Sequence, residues 1–105
     1  MLTRETAIKI ANCFINDLVN SGISLKKAIL FGSFASNTQN NNSDIDIALF
    51  SPIFTGFGFE DKKLFAKWNI KPSYINIDVK TYPNSNDDPF IEIIEKTGIP
   101  IFSTK

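Results

Sequence analysis

The segment from Gly32 to Asp46 constrains this chain more than any other. Gly32-Ser33 is followed by ten residues and then by Asp44-Ile45-Asp46. An apolar run, Ala28-Ile29-Leu30-Phe31, leads into the segment, and a second, Ile45-Asp46-Ile47-Ala48-Leu49-Phe50, leads out of it. Short apolar runs bounded by turn residues read as buried strands, so strands are expected over Lys26 to Phe31 and Asp44 to Phe50. In a strand, side chains two apart project to the same side, about 6.5–7 Å from each other. Asp44 and Asp46 therefore share one face, while Ile45 and Ile47 turn the other way into a core.

The rest of the chain supplies what such strands need for cover. Thr3 is placed to cap a helix whose apolar residues recur at Ala7, Ile8, Ala11, Phe14, Ile15, Leu18 and Val19, with Gly22 ending it. Cys13 lies inside that helix and reads as a small flanking core residue, since nothing near it in sequence would activate a thiolate. The residues after Gly32 suit a short helical turn, and the Asn-rich stretch up to Ser43 reads as a solvated loop. A helix is expected from Glu60 to Trp68, with Leu64, Phe65 and Trp68 as its apolar stripe. Tyr74 to Lys80 alternates cleanly and is the third expected strand, with Ile75, Ile77 and Val79 on one face and Asn76, Asp78 and Lys80 on the other. After Pro83 and a polar turn, Asp88 and Pro89 suit the cap and first position of a helix with Phe90, Ile93 and Ile94 inward and Gly98 as its stop. Ile99 to Phe102 reads as a short terminal strand whose proline favours an edge. The order helix–strand–strand–helix–strand–helix, closed by this strand, is an α/β (α+β) arrangement, a small mixed sheet flanked by helices. Without repeats or a linker, residues 1–105 read as one domain.

Composition removes several functions. The chain has no histidine and one cysteine, so a histidine general base, a His-ligated zinc and an internal disulfide are impossible within it. Formal net charge is zero, which lacks the basic field of a dedicated nucleic-acid binder. No apolar run approaches the ~20 residues that span a bilayer, and the first residues lack the character of a signal peptide. A cytoplasmic setting, with neither membrane nor direct nucleic-acid contact, is the expectation.

An Asp-x-Asp at a strand start has a plain reading as a device that blunts a sheet edge. It has a chemical one as a ligand pair for hard divalent cations beside a triphosphate. Two other features favour the chemistry. Gly32-Ser33 directly follows a buried strand, where the backbone and the Ser33 hydroxyl can hold phosphate oxygens. Asp78 stands mid-strand, where aspartate is disfavoured. If the third strand lies beside the second, Asp44, Asp46 and Asp78 converge, and their mutual repulsion calls for cations or protons. Otherwise Asp78 is a surface partner for Lys80 or another cation.

Gly32, Ser33, Asp44 and Asp46 at this spacing, with Asp78 as third carboxylate, resemble the nucleotidyltransferase superfamily that includes DNA polymerase beta. Within it the chain is similar to the minimal nucleotidyltransferases, antitoxins of two-gene modules with HEPN-type toxins. The closing Glu92 to Ile99 is similar to the helix and glycine that end those small domains. The resemblance implies the nucleotidyltransferase fold and metal-dependent transfer of AMP from ATP, or another NMP from its NTP, to a hydroxyl, with release of pyrophosphate. It implies that Asp44 and Asp46 ligate two Mg²⁺ ions. Asp78 would ligate the ion nearer the acceptor and take the acceptor's proton, and Gly32 and Ser33 would hold the terminal phosphates. The implied acceptor is a tyrosine of the toxin, silenced by AMPylation, and homo- or hetero-oligomers are compatible with that. Many relatives carry Ala-Arg-Gly where this chain has Ala35-Ser36-Asn37. Lys80, on the face of Asp78, either compensates for the missing charge near the phosphates or is a solvated strand-end lysine. The alternative to catalysis is an antitoxin that neutralises its partner by binding alone. Small size leaves no room for an acceptor domain, so a partner supplies the acceptor, with Phe54, Phe57 and Phe59 as candidates for the contact or else a buried loop cluster.

Overall fold

Helix α1 (Arg4–Asn20) begins where the Thr3 hydroxyl accepts the Thr6 N–H, and it ends at Ser21 with Gly22 in the left-handed region at φ 99°. Its buried stripe is Ala7, Ala11, Phe14, Ile15 and Leu18. The computed structural model describes residues 2–83 and 88–104. Strands β1 (Lys27–Phe31), β2 (Ile45–Phe50), β3 (Ile77–Tyr82) and β4 (Ile99–Ser103) form one sheet in the order β3-β2-β1-β4. β1 pairs antiparallel with both β2 and β4, and β2 pairs parallel with β3. A parallel pair needs a long crossover; here it carries α3 (Gly58–Lys62) and α4 (Ala66–Asn69). α2 (Ser33–Ser36) follows β1, and α5 (Pro89–Thr97) precedes β4. Among the described residues no helix is long and apolar enough to cross a membrane.

The two inner strands are covered on both faces, which is why they read as nearly continuous apolar runs. On one face Ala28, Leu30, Ile45, Ile47, Leu49 and Ile77 pack with the stripe of α1 and with Phe34, Phe54 and Phe65. On the other, Ile29, Phe31, Ala48, Phe50 and Tyr82 pack under Ile91 and Ile94 of α5. α5 covers only part of that second face, and the strand starts of β2 and β3 carry Asp46 and Asp78 there instead.

Several expectations are corrected. The helix predicted from Glu60 to Trp68 is two short helices; Phe65 is buried and Trp68 packs at the core margin, but Leu64 is exposed. The third strand starts at Ile77 and runs to Tyr82, because Tyr74 turns inward on Phe14 and donates its hydroxyl to Asp17 at 2.7 Å, which leaves Ile75 in solvent. α5 buries Ile91 and Ile94, while Phe90 and Ile93 are exposed. Cys13 is exposed on α1 and is not a core residue. Phe54 is buried, whereas Phe57 and Phe59 are 72% and 81% exposed, so the loop phenylalanines do not form one buried cluster. The polar turn expected after Pro83 falls on residues 84–87, outside the described ones. The caps at Thr3 and Asp88, the stop at Gly98 and the edge position of the Pro100 strand are as the sequence predicts.

Candidate active site

The parallel register of β2 and β3 sets Asp46 directly opposite Asp78. Both side chains project to the face that α5 leaves open, since Ile45, Ile47, Ile77 and Val79 take the alternate positions toward the α1 side. Asp44 lies exposed one residue before β2. On the other neighbour of β2, Phe31 pairs with Asp46, so the chain leaves β1 at Gly32 right beside that carboxylate. Gly32 has φ 75°, and a β-carbon there would collide with the Asp46 carboxylate. Only glycine satisfies both the backbone and the contact. Gly32→Ala is expected to cost about 1–3 kcal/mol from the backbone alone, since φ 75° with ψ −154° is a region kept to glycine, plus displacement of Asp46. Urea denaturation checks this, and unchanged stability would contradict the close approach.

Three acidic groups without a cation repel one another, and the effect is visible on the most enclosed of them. The Asp46 carboxyl is pushed up to about 6, first by burial and then by the charges of Asp78 and Asp44. A hydrogen bond to Asp78 favours its protonated form, while Lys80 acts in the opposite direction. Lys80, on the face of β3 that carries Asp78, thus stands near Asp46 across the strand pair, and among the described residues it makes no ion pair with Asp78. Among the described residues Asp78 takes part in no salt bridge, so its reading as a plain ion-pair partner finds no support there. Ser33, half-buried, is the first residue of α2, whose N–H groups at Ser33, Phe34 and Ala35 have no intrahelical partner.

The donor set fits a hard divalent cation: clustered carboxylates with no imidazole or thiolate nearby, and a raised carboxyl that a positive ion would relieve. Among the described residues no three such side chains stand close enough together to hold an ion by themselves. Any cation here would be shared with a bound group or with water, as Mg²⁺ commonly is at phosphate sites. A cleft of about 320 Å³ opens between the outer edge of β3 and α3–α4, lined by Phe59, Lys62, Phe65, Asn69, Ile77, Asp78 and Val79.

One buried carboxylate escaped the sequence reading. Asp61, 2% exposed, accepts hydrogen bonds from the Thr55 N–H (2.8 Å), the Thr55 hydroxyl (3.0 Å), the Gly56 N–H (3.0 Å) and the Thr81 hydroxyl (2.6 Å). Burial alone would raise its carboxyl, but these donors hold it below the usual aspartate range. It fixes the loop after β2 to the far end of β3, the strand that carries Asp78.

The family model described as polymerase beta, nucleotidyltransferase matches residues 14–105. Comparison with curated protein sequences finds no match. Among solved structures, a candidate nucleotidyltransferase from Sulfolobus solfataricus is similar in fold, with TM-score 0.70 and 19% identity over 95% of this chain and 83% of that one. A toxin–antitoxin complex with AMP-PNP gives TM-score 0.63 at 27% identity, covering 90% of this chain and 74% of that one. A mutant of the toxin–antitoxin pair MntA–HpeT, with two aspartates two positions apart changed to glutamate, gives 0.61 at 25% over the same shares.

Proposed function

The chain belongs to the polymerase beta nucleotidyltransferase family, and from that membership we propose that it moves AMP from ATP to a hydroxyl of a partner protein. The observation that carries the reading is Asp46 facing Asp78 across the β2–β3 pair, with Asp44 two residues before Asp46 and near enough for its charge to act on it, and Gly32 against Asp46. In this reading Asp44, Asp46 and Asp78 hold two Mg²⁺ ions, which when bound neutralise charge on the phosphoryl oxygens and hold the triphosphate. Gly32 and Ser33 take the β- and γ-phosphates on the exposed backbone at the start of α2. Lys80 adds a positive charge on the same face. The acceptor oxygen attacks the α-phosphorus, the bond to the bridging oxygen breaks, and pyrophosphate leaves with the electron pair. The acceptor proton passes to Asp78, a carboxylate being the plausible base in a chain without histidine.

The partner in this proposal is a toxin of the HEPN type encoded nearby, in a cytoplasmic hetero-oligomer, and the acceptor is one of its tyrosines. Two structural neighbours are toxin–antitoxin complexes, one of them with AMP-PNP, and one is altered at aspartates spaced as Asp44 and Asp46 are. The cleft that reaches Asp78 is large enough for a phenol ring and has walls of mixed character, with Phe59, Phe65, Ile77 and Val79 beside Lys62 and Asn69, and Phe57 and Phe59 stand exposed in the α3 region. The deciding experiment incubates the chain with Mg²⁺, labelled ATP and the product of the neighbouring gene. Label is expected on the partner and is expected to vanish with Asp44→Asn. A tight complex without label would favour an antitoxin that acts by binding alone, and neither label nor complex would overturn both readings.

A further inference from the structure

Arg4 is the only arginine of the chain, and it stands where a cation is least expected. It is the first residue of α1, the end of a helix whose dipole disfavours positive charge. Its guanidinium does not answer a carboxylate, since among the described residues it takes part in no ion pair. Instead it reaches across thirty residues of sequence: Nε donates to the Phe34 carbonyl at 3.0 Å and Nη2 donates to the Ala35 carbonyl.

Those two are the buried carbonyls at the end of α2 for which the helix itself supplies no donor. In this four-residue helix the Gly32 carbonyl accepts from the Ser36 N–H (3.1 Å) and the Ser33 carbonyl from the Thr38 N–H (2.8 Å). Phe34 and Ala35 are buried, so their carbonyls need a partner other than bulk water. A single helical turn is also far below the length that holds itself together. The fork of an arginine can bond two adjacent carbonyls with one planar group, which an ammonium cannot do as well.

We propose that Arg4 is the positioning residue of the Gly32–Ser33 turn, tying the carbonyl end of α2 to the start of α1 and so fixing the backbone that meets the nucleotide phosphates. Arg4 lies before the stretch matched to the family, residues 14–105. The phosphate half of the inference rests on the nucleotidyltransferase reading; the anchoring half does not.

The test pairs two readouts on the full chain. Arg4→Ala is expected to raise the KM for Mg·ATP about tenfold, the loss of one or two charge-assisted hydrogen bonds, with kcat changed less than about threefold. Amide exchange at Ser36 and Thr38 is expected to speed up about tenfold or more, while the amides of β1 and β2 keep their protection. Arg4→Lys should restore part of both effects, and it carries the same test if Arg4→Ala does not fold. Unchanged KM together with unchanged exchange at Ser36 and Thr38 overturns the inference. A general loss of protection throughout the sheet also overturns it, because Arg4 would then be an ordinary stabilising residue. If the wild type neither binds nor turns over Mg·ATP, the nucleotidyltransferase reading fails, and the exchange measurement still decides whether Arg4 holds the turn.

Discussion

Asp46→Asn is expected to yield a protein that is more stable than the wild type at neutral pH without Mg²⁺, and that lacks the transferase activity proposed above. The gain follows from the crowding of charge. With its carboxyl raised to about 6, Asp46 binds a proton more tightly in the folded chain than in the unfolded one. The folded state therefore holds more protons between about pH 4 and 6, and stability falls as pH rises through that window. At pH 7 the full cost is present. An asparagine of the same shape removes the charge, and its amide can donate to Asp78. After discount for solvent around a partly exposed group, the gain is about 1 kcal/mol. The pH 4–6 slope should disappear with it.

In the function proposed above, the same substitution removes a metal ligand that would act on transition-state charge. Interactions of that kind are worth several kcal/mol, so turnover should fall about a thousandfold or more. Mg²⁺ separates the two effects. In the wild type, saturating Mg²⁺ should stabilise the fold, by about 2.7 kcal/mol at a hundredfold excess over Kd, and in the variant the melting curve should barely respond. Turnover within tenfold of wild type, or an undiminished response to Mg²⁺, would remove Asp46 from the site.

The pair at the centre of this prediction was legible because strand alternation is a strong local signal. Asp46 among Ile45, Ile47 and Leu49, and Asp78 between Ile77 and Val79, can only point away from the α1 side. That the two strands lie side by side is not a local property; their adjacency follows from the family resemblance, and the sheet bears it out and adds the register that sets Asp46 against Asp78. Where neighbouring alternatives differ by one residue, the local signal fails. Phe90-Ile91-Glu92-Ile93-Ile94 offers two apolar stripes of similar strength, and only the position of β1 decides that Ile91 and Ile94 turn inward. Cys13 sits between Ala11 and Phe14 in sequence but off their stripe on the helix. Tyr74-Ile75-Asn76 continues the alternation of β3, yet the chain is still turning there because the Tyr74 ring has a place on Phe14.

Asp61 is the harder case, and its loss is expected to be the most damaging single change to stability. In sequence it belongs to Glu60-Asp61-Lys62-Lys63, a mixed-charge run that reads as the solvated face of a helix. Glu60 and Lys63 do behave so, pairing at 3.5 Å in solvent. Asp61 turns inward because Thr55, Gly56 and Thr81 converge on it, and no local pattern announces donors six residues before and twenty residues after. Asp61→Ala would remove the acceptor of two backbone N–H groups and two hydroxyls; the Thr81 hydroxyl is buried, while Thr55 and Gly56 lie at exposed positions. At about 1–3 kcal/mol for each group left unpaired, and with partial relaxation, the total is about 3–5 kcal/mol. For a domain of this size that is a fall in Tm of more than about 10 °C. Acid dependence supplies the second signature. A carboxyl held below its unfolded value stabilises the fold fully above that value, near pH 4, and the contribution is lost as pH falls through the folded one. The wild type should therefore weaken steeply below about pH 4, and Asp61→Asn, already destabilised at neutral pH, should show a shallower acid slope. Denaturation curves for the two proteins between neutral pH and pH 2.5 decide it: parallel acid limbs would mean that the four hydrogen bonds do not hold the loop to β3.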